Sequence, residues 1–158
     1  KGWISYTLGK TEHTFEGLNN GQSFSPTYDR RHDISIVGNH KLGRGWNLNA
    51  NWVFGSGQAY TIPESQYTVV QPSGEEISYV HVSGKNAYRL PAYHRLDAAI
   101  TRDFKFGDFG GQILLSVFNV YNRRNIWYRT FDVSEEEIQV QDVLLQPMLP
   151  SLGFRVGF

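Results

Sequence analysis

The side chains best suited to proton transfer or metal binding are five histidines, His13, His32, His40, His81 and His94. None is paired with another at helical metal-ligand spacing. His32 and His40 fall on one face of an extended strand, but eight residues apart, about 26 Å at roughly 3.3 Å per residue, too far to share one ion. The chain has no Cys, which removes thiol catalysis, disulfide scaffolds and Cys-based zinc sites. It also lacks a Gly-x-Ser-x-Gly elbow and a phosphate-binding glycine loop. A Ser–His pair for lipid hydrolysis would need both groups on one outer face, and His40 has no Ser on its face of that strand. The expectation is no enzyme, no catalytic residues, no metal and no cofactor.

The remaining chemistry is recognition. Tyr60, Tyr67, Tyr79 and Tyr88, with Gln58 and Gln66, lie in a segment over 57–92. Aromatic platforms beside amides suit sugar or peptide ligands; the plainer alternative is that these tyrosines pack their own loop. Asn47, Asn49 and Asn51 form an amide ladder at every second position. Arg95, Asp97 and Arg155 occupy equivalent positions of later segments.

Period-two alternation places these groups on strands. Trp46, Leu48, Ala50, Trp52 and Phe54 alternate with the three asparagines. Ile4, Tyr6 and Leu8 alternate with Ser5, Thr7 and Gly9; Leu96, Ala98 and Ile100 alternate with Asp97, Ala99 and Thr101. The pattern predicts six strands at about 2–14, 28–42, 46–56, 93–106, 110–122 and 138–158. The facing of 110–122 is open, because both of its sides are apolar. Glu135-Glu136-Glu137 is read as a solvated loop. Tyr67–Val70 and Ile77–Val80 flank Gln71-Pro72-Ser73-Gly74, a predicted hairpin outside the main sheet. Leu42-Gly43-Arg44-Gly45 and Gly107-Asp108-Phe109-Gly110 read as tight turns. The other connections, about 15–27, 57–92 and 123–137, are long. In an up-and-down meander the short turns share one end and the long loops the other.

Composition narrows the partner. Lys and Arg number 15 against 15 Asp and Glu, so the charge excess that drives nucleic-acid binding is missing. No apolar run is long enough for a membrane-spanning helix, and residues 1–20 lack the pattern of a signal peptide. Aromatic residues make up 15% of the chain. Lipid is therefore the expected neighbour of the apolar stripe: an all-β, antiparallel up-and-down transmembrane barrel with a wet lumen. On this reading Trp3, Trp46, Trp52, Phe54, Phe104 and Phe106 form interfacial girdles. Asn47, Asn49, Asn51, Arg95 and Asp97 face the lumen. His40 and Arg102, polar exceptions on the apolar stripe, snorkel near the tight-turn end. Two other readings stand beside it. One is a complete small eight-stranded porin-like barrel that uses the 67–80 hairpin. The other is a soluble aromatic-rich β-sandwich that binds carbohydrate.

Three segments carry a resemblance. They are Arg89-Leu90-Pro91-Ala92-Tyr93-His94-Arg95-Leu96-Asp97, Ser116-Val117-Phe118-Asn119-Val120-Tyr121-Asn122-Arg123-Arg124-Asn125, and Leu149-Pro150-Ser151-Leu152-Gly153-Phe154-Arg155-Val156-Gly157-Phe158. In this order they are similar to the closing segments of TonB-dependent outer-membrane receptors, with a Leu-Pro-Ser ending most similar to the Bacteroidetes type. The resemblance implies a 22-stranded barrel in the bacterial outer membrane, closed by an N-terminal plug and importing a nutrient. Residues 1–158 would be its last six strands. The implied partners are outer-membrane lipid, the remainder of the barrel and plug, TonB through the N-terminal part, and in some cases a surface lipoprotein. Leu152, Phe154, Val156 and Phe158 resemble the signal read by the barrel-insertion machinery.

Overall fold

The structure, a computed structural model, describes residues 1–82, 84–107, 109–133 and 138–157. The acidic run 135–137, Asp108 of the second tight turn and the terminal Phe158 lie outside the described residues.

Among the described residues twelve strands form: β1 (Gly2–Leu8), β2 (His32–Gly43), β3 (Trp46–Gly55), β4 (Ala59–Tyr60), β5 (Pro63–Val70), β6 (Glu76–Val82), β7 (Tyr88–Arg89), β8 (Tyr93–Phe106), β9 (Phe109–Phe118), β10 (Ile126–Asp132), β11 (Gln139–Leu144) and β12 (Leu149–Gly157). Six of them build one antiparallel sheet in the order β1-β2-β3-β8-β9-β12. This is a meander in which each sheet strand pairs with the next one along the chain. It does not close on itself: β1 and β12 are both edges.

The register separates two chemistries. On one face the rows read Ile4–Ile36–Trp52–Leu96, then His40–Leu48–Ile100–Leu115–Leu152, then Trp46–Arg102–Ile113–Phe154. On the other they read Trp3–Val37–Asn51–Asp97, then Asn39–Asn49–Ala99–Ser116–Ser151. A pleated strand sends successive side chains to opposite faces, so matched alternation in all six strands yields one continuous apolar sheet face. Nothing among the described residues covers that face: Ile4, Leu152 and Phe154 are 72%, 76% and 85% exposed. The buried apolar side chains Phe24, Ala59 and Leu90 all belong to the connections, not to the sheet.

Turns and loops alternate as expected. The β2–β3 turn carries positive φ at Gly43, Arg44 and Gly45 (85°, 51° and 80°). A Cβ on Gly45 would come 2.4 Å from the Asp103 carbonyl oxygen, which accepts no such approach. The long connections contain the other strands. β5 and β6 form the expected hairpin, closed by Gln71 N–H to Glu75 O at 2.8 Å and Gly74 N–H to Gln71 O at 2.8 Å.

Several expected boundaries change. The predicted strand 2–14 ends at Leu8 and 110–122 ends at Phe118, because Asn119 takes a left-handed φ of 54°. The predicted strand 138–158 is two strands. Its first part is β11, which pairs with β10, a strand that the sequence reading leaves within the 123–137 connection. The break lies around Pro147, where Leu145 N–H turns to Asn125 O (2.8 Å) and Met148 N–H to Asn122 Oδ1 (2.9 Å). A proline has no N–H to keep the ladder going there. β9 faces both ways: Ile113, Leu115 and Val117 lie on the apolar face, Gln112, Leu114 and Ser116 on the polar one.

Candidate functional site

All three long connections meet at the end of the sheet opposite the tight turns, and hydrogen bonds join them. Asn86 Nδ2 donates to Ser25 O at 2.8 Å and Lys85 N–H to Asn19 Oδ1 at 2.9 Å, linking the 9–31 and 56–92 connections. Arg129 Nη1 donates to the Tyr60 hydroxyl at 2.9 Å, linking the β10–β11 hairpin to the 56–92 connection.

Two buried polar nodes fix this end. The first is Asp29, 2% exposed. Its carboxylate accepts from Thr11 N–H at 2.7 Å and from Arg89; Arg89 also donates to the carbonyls of Asp29 and Gly57, both at 3.0 Å. Burial by itself raises the Asp29 pKa. The Arg89 and Thr11 hydrogen bonds, with the charges of Arg89 and Arg31, outweigh it and hold the carboxyl below the ordinary value. Gly57 passes against Leu90 so closely that a Cβ would lie 1.6 Å from its carbonyl oxygen.

The second node is Asn119, with no exposed surface. Its Nδ2 donates to Arg123 O (2.9 Å) and Gln146 O (3.3 Å), and its Oδ1 accepts from Arg123 N–H (3.0 Å). Arg123 then reaches Ala92 O at 3.0 Å and Asn125 Oδ1 at 3.2 Å. Asn125 bonds both backbone groups of His94, accepting from N–H at 3.2 Å and donating to O at 2.9 Å. Together these tie the ends of β8, β9 and β11 into one corner.

The four tyrosines proposed for ligand contact stand in two pairs. Tyr67 and Tyr79 stack across the β5–β6 hairpin with centroids 5.6 Å apart. Tyr60 and Tyr88 pair across β4–β7 at 6.3 Å, and Tyr60 also stacks on Phe131. Arg129 lies over the Tyr60 ring and grips Asp142 through Nε (2.6 Å) and Nη2 (3.1 Å). Those bonds hold the Asp142 carboxyl below its usual value. A cleft of about 470 Å³ opens between the first connection and the base of the β5–β6 hairpin, lined by Asn20, Thr61, Glu64, His81 and Lys85 among others. None of the four tyrosines is among its lining residues.

The residues assigned to a lumen do share a face. Asn47, Asn49, Asn51, Arg95 and Asp97 lie on the polar side of the sheet. There Arg95 pairs with Asp97 at 2.9 Å, donates to the Tyr93 hydroxyl at 2.9 Å, and lies over the Phe118 ring at 4.0 Å. Asn49, Asn51, Asp97, Ser116 and Phe118 border a depression of about 340 Å³. Trp3 sits on this polar face, opposite Val37, and not with the girdle aromatics: its odd number puts it out of phase with Ile4 and Tyr6. Trp52 is on the apolar face but in a middle row. Leu152, Phe154 and Val156 line the apolar face of the edge strand β12.

Among the described residues no cluster of three or more His, Asp or Glu is placed to hold a metal, and no helix is long and apolar enough to cross a membrane. The sequence reading missed the roles of Asp29, Arg129 and Phe131. Arg129 and Phe131 fall in the predicted 123–137 connection and Asp29 in the predicted strand 28–42, which starts only at His32; only their three-dimensional pairing gives them a role. Arg89, Asn119, Arg123 and Asn125 entered only through the resemblance.

No protein-family model matches the chain, and no curated protein or solved structure is significantly similar to it.

Proposed function

We propose that this chain is the C-terminal wall segment of a TonB-dependent outer-membrane transporter that imports a nutrient ligand. The observation that carries the reading is the uncovered apolar face of the six-stranded meander. A monomeric soluble protein rarely exposes an apolar patch of this extent. A barrel in lipid requires one, backed by a polar lumen face. The alternation of tight turns with long, mutually bonded connections supports the same orientation, with turns at the periplasmic side and loops outside. The two edges, β1 and β12, then pair with the remaining strands of the wall, and this segment supplies about a quarter of it. In this role the loop end presents tyrosines and the Asn20–Glu64–His81–Lys85 cleft to ligand. The ladder Asn47, Asn49, Asn51 meets the plug or solute. β12 carries the signal for the insertion machinery. Plug, TonB and any surface lipoprotein act through parts of the protein beyond this segment.

The test is fractionation of the full protein expressed in a Gram-negative host. Recovery in the detergent-resistant outer-membrane fraction is expected, with loss of ligand uptake when residues 57–92 are shortened. Recovery as a monodisperse species in aqueous buffer without detergent contradicts the reading and favours the soluble sandwich.

A further inference from the structure

The apolar face carries one formal charge among the described residues. Along all six sheet strands, no register position on that face is Asp or Glu; Asp33, Asp97 and Asp103 all point to the polar side. The exception is Arg102. Its row neighbours are Trp46, Ile113 and Phe154, and the next rows bring Ile100 and Phe104. Its guanidinium lies over the Trp46 ring, 5.0 Å from the centroid. No carboxylate of a described residue forms an ion pair with it.

Its height on the face is informative. On β8 the apolar run Leu96, Ala98, Ile100 is bracketed by His94 and Arg102. On β2 the run Ile34, Ile36, Gly38 is bracketed by His32 and His40. Both brackets are eight residues long, about 26 Å along a strand; a tilt of roughly 35–45° projects that to about 20 Å along the membrane normal, within the roughly 25 Å apolar band of such barrels. At the loop end, the bracketing histidines bond tyrosine hydroxyls: His32 to Tyr6 at 2.9 Å and His94 to Tyr121 at 2.7 Å. At the turn end, Arg102 has only the aromatic face beneath it. No hydrogen bond from a described residue occupies its guanidinium N–H groups, whose fork matches a phosphate in a two-pronged contact.

We propose that Arg102, held over Trp46, binds the phosphate of an anionic glycerophospholipid at the tight-turn rim of the apolar face, with the acyl chains lying over Ile100, Ile113, Leu115 and Phe154. The proposal rests on the reading that this face meets lipid. Charge complementarity selects the occupant: a single cation in a field without carboxylates, at the depth where hydrocarbon gives way to headgroup. A docking protein segment would leave that cation to be matched by its own acid, whereas a phospholipid brings the phosphate and the chains together.

Native mass spectrometry of the full protein in detergent, titrated with phosphatidylglycerol or phosphatidylcholine, tests it. The wild type is expected to retain phosphatidylglycerol about fivefold more tightly than phosphatidylcholine, and Arg102→Gln to remove that preference. Lys105→Gln, on the polar face of the same strand, is expected to leave the preference intact. An unchanged preference in Arg102→Gln overturns the proposal, as does an equal loss in Lys105→Gln. Displacement of phosphatidylglycerol by millimolar inorganic phosphate overturns the lipid as the source of the phosphate. Where Arg102→Gln fails to fold, Trp46→Leu carries the test, since it leaves the charge and removes its platform: loss of preference supports the site and no change overturns it. Quenching by brominated acyl chains, in a variant whose sole tryptophan is Trp52, separates the two readings. Quenched Trp52 with a silent Arg102→Gln removes the headgroup site alone; unquenched Trp52 removes both.

Discussion

Asn119 has no solvent to fall back on. Its side chain serves the carbonyls of Arg123 and Gln146 and the N–H of Arg123 while its own backbone sits at φ 54°. Asparagine tolerates that φ better than other non-glycine residues, and its amide supplies donor and acceptor at once. Asn119→Ala leaves those backbone groups buried and unpaired and adds strain. The expected cost is about 2 kcal/mol, read as a lowered unfolding midpoint in detergent. Asp29 answers to pH in the opposite way from a histidine switch. Its folded pKa is depressed, so its contribution is fully present above the unfolded value of 3.8 and is lost as pH falls through the lower folded value. Proteolysis of the 9–31 connection is therefore expected to rise as the pH drops below about 3.8, and Asp29→Asn to show fast cleavage already at pH 7. An Asp29→Asn variant as protected as wild type contradicts this account of the loop lock.

At the scale of the element, five of the six sheet strands were legible from a period of two, and β9 from its run of strand-forming residues. Trp46 to Trp52 alternates apolar and polar groups without interruption, and the structure forms β3 over Trp46–Gly55. β9 could not be assigned a face from its own residues, since Leu114 and Phe118 spoil the alternation; its partners β8 and β12 decide it. The β10–β11 hairpin was illegible for another reason. Its pairing is secured by Arg129 to Asp142 and by the Asn119–Asn125 corner, long-range contacts that leave no local pattern. The loop-end nodes share that property: Arg89 bonds Asp29 across sixty residues. The apolar face makes its own prediction. Ala98→Arg, in the middle row of β8, is expected to destabilise the membrane-inserted protein by about 2–4 kcal/mol. Ser116→Arg, in the middle of the polar face, is expected to cost far less. Equal effects in reconstituted vesicles would mean that both faces meet the same medium. Gly57→Ala is expected to lower outer-loop protection from protease while the sheet keeps its unfolding midpoint, because the collision is with Leu90 at the loop end.

For the whole molecule, one asymmetry organises the rest. Polar side chains on one side of the sheet bond each other: Asn47 and Gln112 both reach Asp103, at 3.3 and 2.7 Å, and Arg95 reaches Asp97. The other side offers an apolar surface, bordered by Tyr–His pairs at the loop end and by His40 and by Arg102 on Trp46 at the turn end. A second protein layer over that surface would also satisfy it, and so the medium must be measured directly. These 158 residues contain no cysteine, so a cysteine placed here in a background with any others removed is labelled at a single site. Labels placed one at a time from Leu96 to Thr101 in the membrane-reconstituted full protein report collisions with oxygen, which concentrates in lipid, and with a water-soluble nickel chelate. The account predicts oxygen maxima at Leu96, Ala98 and Ile100, and nickel maxima at Asp97, Ala99 and Thr101. Low accessibility to both reagents at Leu96, Ala98 and Ile100 would place these residues in a protein core and contradict it.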